Sequence, residues 1–308
     1  MKALITGVNG FVGQHLSEFL LGKGYQVYGI DMQDNNDNKK VKYIKCDITN
    51  FRSVNAAIKN SKPDLIFHLA AVSSPQSCEN NPELTKKVNI NGTENILLSC
   101  FVNKINPKVL ITSSAQVYGA PVYTPIDEKH QIKPINKYGE SKLEQEKAAL
   151  KFFREKKIAV IISRSFNHIG PGQLTGFVCS DFAKQIAEIE KGVAKSEIHT
   201  GDLSKKRDFT DVRDIVKAYL LLLQKGVPGE IYNIGSGKAY EMKFILEKLV
   251  SYSKIKIKII EDKNKFGKGD IPVLQANNRK FVNLTGWKPE IKIEDTLKDI
   301  LNFWRKQV

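Results

Sequence analysis

Thr6-Gly7-Val8-Asn9-Gly10-Phe11-Val12-Gly13 stands between an apolar run that reads as a first strand and a pattern at 11–21 that reads as a first helix. Glycines at such a junction let the backbone turn tightly and approach a pyrophosphate, whose charge then meets the free N–H groups of the helix start. The spacing is GxxGxxG rather than GxGxxG, and its placement after a strand separates it from an ordinary glycine turn. Gly7, Asn9, Gly10, Phe11, Val12 and Gly13 are therefore cofactor-binding candidates.

Outward from this stretch, strand-like runs at 2–6, 26–30, 41–46, 65–69, 109–112 and 159–163 alternate with helical patterns at 11–21, 52–59, 85–101 and 138–153. That alternation predicts an α/β fold, a doubly wound parallel Rossmann sheet with right-handed crossovers. Asp31 ends the second strand about twenty residues past the glycines, where a carboxylate accepts hydrogen bonds from adenosine ribose hydroxyls and repels a 2′-phosphate. Met32 and Gln33 follow, with Lys39 and Lys40 the nearest cations, so NAD(H) is favoured and NADP(H) stays open. Asp47 and Ile48 after the third strand, Leu69, Ala70 and Ala71 after the fourth, and Thr112 on the fifth join the set because an open α/β sheet binds ligands at its carboxyl edge.

After Ser165 the pattern becomes irregular, then resumes with a helix at 212–224 and a strand at 231–234. The expected division is a Rossmann domain at 1–166 that also receives about 207–235, and a smaller C-terminal α/β lobe at 167–308, mainly 167–206 and 236–308. Helices at 241–250 and 293–305 and a strand at 256–260 belong to that lobe.

The 308 residues carry a formal charge of +15. The lysines are scattered rather than gathered in one arm or interleaved with stacking aromatics, which points to a solvated surface and not to a nucleic-acid partner. No apolar run is long enough to cross a membrane, and the chain enters its first strand without a leader, so a cytoplasmic protein is expected. Cys46, Cys78, Cys100 and Cys179 lie far apart, which implies reduced thiols and no metal site.

Two further segments carry chemistry. Ser113-Ser114-Ala115-Gln116-Val117-Tyr118-Gly119 puts hydroxyls at a strand end, and Tyr138-Gly139-Glu140-Ser141-Lys142 puts a tyrosine and a lysine on one helical face. A neighbouring ammonium stabilises the phenolate and lowers its pKa, so that the tyrosine exchanges a proton with a substrate oxygen near neutral pH. Hydride chemistry at a carbonyl requires such a group.

These motifs occur in one order with His68-Leu69-Ala70-Ala71, Asn89-Ile90-Asn91-Gly92-Thr93 and Arg207-Asp208-Phe209-Thr210-Asp211-Val212. Together they resemble the extended short-chain dehydrogenase/reductase family acting on nucleotide sugars, across essentially the whole chain. The resemblance implies that Ser114 hydrogen-bonds the reacting sugar oxygen, that Tyr138 is the acid/base, and that Lys142 holds the nicotinamide ribose and tunes the tyrosine. It places Asn89 on the cofactor, Phe166 and Asn167 along the nicotinamide and the substrate diphosphate, and His168 near the nicotinamide end. Arg207 becomes the clamp on the diphosphate, a task that suits a planar guanidinium; a surface ion pair with Asp208 is the other way to read it. A homodimer through the helices at 85–101 and 138–153, packed as a four-helix bundle, is implied too.

Within the family, Ser165 to Gln173, Gly176-Phe177-Val178 and Arg207 to Asp214 are most similar to GDP-4-dehydro-6-deoxy-mannose reductases, which implies a GDP-linked sugar substrate, with Phe177 and Val178 beside it. Two positions depart from the family pattern. Gly267-Lys268-Gly269-Asp270-Ile271-Pro272 stands where an Arg-Pro-x-Asp-x-Pro segment contacts the nucleotide, so Lys268 or Lys265 would supply the charge beside Asp270. Gln116 occupies the place of the glutamate that related 4,6-dehydratases use to remove the C5 proton, and a neutral amide cannot abstract a carbon-bound proton. A reductase is therefore favoured over a dehydratase, with a nucleotide-sugar 4-epimerase and an RNA-binding, non-catalytic relative as the rivals.

Overall fold

The computed structural model describes residues 1–262 and 271–308, and Lys265, Lys268 and Asp270 lie outside the described residues. The first half builds β1 (Lys2–Thr6), α1 (Phe11–Gly22), β2 (Gln26–Asp31), β3 (Lys42–Lys45), α2 (Phe51–Ser61), β4 (Leu65–His68), α3 (Pro75–Asn80) and α4 (Pro82–Lys86). A wide π turn at Lys87–Asn91 carries α4 into α5 (Gly92–Val102), followed by β5 (Lys108–Ser114), α6 (Lys137–Lys156) and β6 (Val160–Ser165). The second half adds β7 (Asn167–Ile169), α7 (Val178–Glu190), β8 (Glu197–Thr200), β9 (Lys206–Asp211), α8 (Val212–Lys225) and β10 (Ile231–Ile234). It ends with β11 (Ala239–Glu241), α9 (Met242–Ser251), β12 (Lys258–Glu261), β13 (Val273–Leu274), α10 (Arg279–Thr285) and α11 (Ile293–Gln307).

Seven strands form one sheet in the order β10-β6-β5-β4-β1-β2-β3. Every pair in it is parallel. The central strands carry near-continuous apolar runs because helices cover both faces: every residue of β4 and β6 is buried. On one face α1 and α8 pack Leu16, Leu20, Ile215 and Tyr219 onto the sheet. On the other α2, α5 and α6 contribute Val54, Ile58, Ile96, Leu97 and Ala149. This is the expected doubly wound Rossmann layer.

A second, smaller layer centres on β9, which pairs antiparallel with β11 and parallel with β7 and β13. Helices α7, α9 and α11 bury Phe182, Ile186, Ile245, Leu297 and Leu301 in its own core. Three details differ from the sequence reading. The stretch read as irregular holds the 13-residue helix α7, whose apolar positions face that core. Residues 206–211 pair within the smaller layer, so the return to the large sheet starts at Val212. Phe281 and Trp287, expected in the lobe, pack into the core beneath α1 and α8.

Candidate active site

The glycine turn lies at the carboxyl edge of β1. Gly7 has φ +70°, a conformation L side chains rarely adopt, and a methyl there would press on Ala70 at 3.0 Å. A methyl on Gly13 would sit 2.3 Å from the Gly7 carbonyl oxygen, so only glycine lets α1 start this close to the turn. Gly10 is the N-cap of α1 and supplies no side-chain cap, leaving the first N–H groups without a side-chain acceptor. The cradle thus fits a dinucleotide pyrophosphate. The Asp31 carboxylate at the end of β2 accepts N–H bonds from Asn9 (3.1 Å) and Met32 (2.8 Å). Asn9 turns its own amide onto the loop after β2, donating to Gln33 Oε1 and the Asn35 carbonyl and accepting from Asn36. The Val12 side chain packs against the core while its neighbour Phe11 stacks 6.2 Å from His168.

Along the same edge, Asp47 is occupied as a turn residue by the N–H and hydroxyl of Thr49, and the Ile48 side chain fills the space beside Gly92. The Leu69 and Ala70 N–H groups donate to the Thr6 hydroxyl, and Ala71 follows at the mouth of the edge. Asn89, inside the π turn, clasps Val72 through both its N–H and its carbonyl and donates to Ser141, whose hydroxyl in turn donates to the Tyr138 carbonyl. The asparagine predicted to touch the cofactor thus fixes the first turn of α6.

Ser114 ends β5, Tyr138 and Lys142 lie on the first turns of α6, and Asn136 caps that helix by accepting the Gly139 N–H at 2.8 Å. A methyl on Gly139 would meet the Gln116 carbonyl at 2.6 Å, so glycine there lets α6 close onto the Ser114 loop. The three predicted catalytic residues come together. The Lys142 ammonium lies 5.9 Å from the centre of the Tyr138 ring, and the Ser114 hydroxyl lies near enough to the phenol to act on its pKa. One sequence expectation needs correcting: burial pushes the Tyr138 phenol up from its ordinary value, with the Ser114 hydroxyl acting in the opposite sense. Burial also brings Lys142 down to about 8. Its ammonium is held by the Thr112 carbonyl at 2.8 Å and by Gln145 Oε1 at 3.0 Å. Desolvation outweighs charge stabilisation, because the interior that brings the pair together also strips it of water.

Gln116 Oε1 accepts from Asn136 at 3.3 Å, so the residue in the dehydratase-glutamate position is a neutral amide tied to the helix cap. Tyr118, by contrast, faces inward: its hydroxyl donates to Asn233 Oδ1 and accepts from Arg164. Behind it Glu146 takes both Nε and Nη2 of Arg164 (3.0 and 2.8 Å) and the Ser113 hydroxyl, a buried knot absent from the sequence reading. The signal for it was a polar Gln145-Glu146 pair on the inward face that begins at Tyr138 and Lys142.

Phe166, whose N–H donates to the Ile234 carbonyl of β10, is buried among Ala115, Val117, Tyr118 and Ile126. His168 is held by the Phe166 carbonyl at 3.3 Å, and burial lowers its pKa. Asn167 pairs with Phe209 across β7 and β9. Phe177 and Val178 lie half exposed at the start of α7. Arg207 sits on β9 and donates to the Lys206 carbonyl. Asp208 does not act as its ion-pair partner; its buried carboxylate takes the N–H groups of Ser236, Gly237 and Ala276 and the Ser236 hydroxyl. Asp211 pairs with Arg213 and accepts from Thr296, and Asp214 accepts the Glu290 and Ile291 N–H groups. The three aspartates of that motif are staples between segments.

The sequence model of the GDP-mannose 4,6 dehydratase family matches residues 4–300. The chain belongs to that family. Members act by different chemistries on the same scaffold, as its relatives illustrate. The chain is 30% identical over 309 aligned positions to the GDP-6-deoxy-D-mannose reductase of Pseudomonas aeruginosa, covering all of this chain and 98% of that protein. It is also 30% identical over 307 positions to a putative UDP-glucose 4-epimerase of Methanocaldococcus jannaschii, covering 98% of each. Among solved structures, RMD from Pseudomonas aeruginosa complexed with NADPH superposes with a TM-score of 0.88 at 30% identity, over 100% of this chain and 99% of that one. A nicotinamide dinucleotide is thus the family's cofactor.

Proposed function

We propose that the protein reduces the C4 keto group of GDP-4-dehydro-6-deoxy-D-mannose to give GDP-D-rhamnose. Gln116 carries this reading. A 4,6-dehydratase needs a base between Ser114 and Tyr138, and an amide bonded to Asn136 removes no carbon-bound proton. Reduction asks less of the protein. A bound NAD(P)H supplies the hydride, and the residues do the rest. Ser114 holds the carbonyl oxygen; the Tyr138 phenol, whose burial further favours its protonated form, gives that oxygen its proton; the Lys142 ammonium offsets the charge left on the phenolate. Asp31 supports NAD(H) as the preferred cofactor, since a 2′-phosphate would meet its carboxylate.

Arg207 is assigned to the substrate diphosphate, with Asn167, Phe177 and Val178 around the sugar nucleotide and Lys268 and Asp270 completing the nucleotide end. A homodimer through the helices at 85–101 and 138–153 belongs to the same reading, supported by Leu84, Phe101 and Val102, which are exposed on α4 and α5.

The test supplies the 4-keto sugar nucleotide with NADH and NADPH in separate reactions and identifies the product by NMR. Stoichiometric oxidation of one dinucleotide with formation of the rhamnosyl product is expected. Catalytic 4-epimerisation without net dinucleotide oxidation would replace this reading by an epimerase.

A further inference from the structure

We propose that Gln145 is a positioning residue for the catalytic pair, holding the Lys142 ammonium so that a single N–H is left to point out of the interior. The proposal rests on the reading of Tyr138 and Lys142 as that pair. Gln145 is fully buried one turn beyond Lys142. An ammonium has three donors and no acceptor. Two are taken, by the Thr112 carbonyl at 2.8 Å and Gln145 Oε1 at 3.0 Å, and tetrahedral geometry sends the third away from both.

The amide cannot turn over, because its other end is fixed by a chain of donors that has only one consistent assignment. The Thr93 hydroxyl owns one hydrogen, and the Asn89 carbonyl at 2.7 Å accepts it, since a carbonyl can do nothing else. The Thr93 oxygen must then accept from both Gln145 Nε2 and His68 Nε2, each at 2.8 Å. So Gln145 presents its carbonyl to the ammonium; the flipped amide would set NH2 against NH3+. His68 in turn carries its hydrogen on Nε2 and accepts the Thr6 hydroxyl on Nδ1 at 2.8 Å. The Thr6 oxygen receives the Leu69 and Ala70 N–H groups. Burial, reinforced by the charge of Lys142, holds His68 neutral with a pKa of about 3, as this assignment requires.

The chain therefore runs from the wall of the glycine turn, where Ala70 closes on Gly7, to the catalytic ammonium, and the donor and acceptor roles along it follow from one another up to the Gln145 carbonyl that faces Lys142. A satisfied buried network of this kind admits one arrangement and resists partial change. The titratable groups facing Lys142 are Tyr138 and Glu146 on α6, Cys78 on α3 and His68 on β4. None of them accepts a hydrogen bond from the ammonium, so removing the Gln145 carbonyl leaves Thr112 as its one protein acceptor among the described residues.

The experiment is an NMR titration of the Lys142 ε-carbon in the full chain, labelled with 13C-lysine and assigned with Lys142→Arg. It needs no cofactor and no turnover. Gln145→Met, of similar length but without the acceptor, should lower the Lys142 midpoint by about one pH unit or more, the effect of losing one charge-assisted bond. Gln145→Glu should raise it by a similar amount. A purely structural role predicts no such opposition of sign, so an unchanged midpoint in Gln145→Met, or shifts of one sign in both variants, overturns the proposal. If Gln145→Met does not fold, Gln145→Glu decides alone, and a midpoint at or below that of the wild type overturns it. Failure of the wild type to reduce any 4-keto sugar nucleotide would sink the proposed function, while the titration would still decide the role of Gln145.

Discussion

Changing Glu146 to glutamine removes one charge from a pair whose partner cannot reach water. Arg164 and Glu146 have side-chain exposures of 5% and 3%, and the carboxylate takes two guanidinium N–H groups and the Ser113 hydroxyl at once. Glutamine keeps one acceptor oxygen and turns an NH2 group toward donors, leaving a buried cation short of its counter-charge. Breaking a buried pair in this way costs about 3–5 kcal/mol. With an unfolding entropy of about 2.1 cal/mol/K per residue over a chain of 308 residues, roughly 0.65 kcal/mol/K, the expected fall in Tm is about 5–8 °C. The measurement is thermal unfolding by circular dichroism or calorimetry, on the single variant and on Glu146→Leu with Arg164→Met together. The double variant should recover more than half of the loss, because it removes the charge along with its partner. A single variant melting within about 1 °C of the wild type, or a double variant that melts no higher than the single one, refutes the reasoning.

Other perturbations read different parts of the site. Gly13→Ala puts a methyl 2.3 Å from the Gly7 carbonyl and should weaken dinucleotide binding by about 10–100-fold in calorimetric titration; an unchanged Kd would mean the pyrophosphate lies elsewhere. Arg207→Ala should raise KM for the sugar nucleotide by about 10–100-fold with kcat nearly constant, as loss of a charged contact made equally in ground and transition state implies. If kcat falls instead, the arginine is not a clamp. His68 takes a proton near pH 6.5 when unfolded but only near 3 when folded, so stability falls as pH drops through that window. Between about pH 7 and pH 5 the loss due to His68 is about 2 kcal/mol by this linkage. Urea unfolding of the wild type and His68→Gln should differ by that amount in pH dependence, and parallel curves would rule it out.

The large sheet was legible because β1, β4 and β5 are apolar runs, each followed by a helix before the next strand. Gly7, Gly13, Ser114, Tyr138 and Lys142 were legible because backbone approach and proton transfer restrict which residues will serve. The smaller layer was harder. Helix α7 begins beside Gly176 and an exposed Phe177, with no capping side chain to announce it, and its apolar face meets a core built from segments far away in the chain. The carboxylates of Asp208, Asp211 and Asp214 looked like site chemistry beside Arg207, yet besides the local partners Arg213 and Lys217 they hold groups some 28 to 85 residues away in sequence. Nothing local marks such contacts. The sign of the Tyr138 shift was likewise out of reach, since it depends on how much water the closed fold excludes.

The route of the chain between its two layers limits how such a protein can change substrate. It leaves the large layer after β6, returns at Val212, leaves again after β10, comes back to place Phe281 and Trp287, and departs for α11. Five crossings mean that no single junction separates the two layers. A chimera that borrows the smaller layer from a relative must be spliced at each crossing, and each splice must match the partner of an aspartate staple. Drift toward a new sugar would therefore proceed by point changes along the cleft, the only edits that leave the stitching intact.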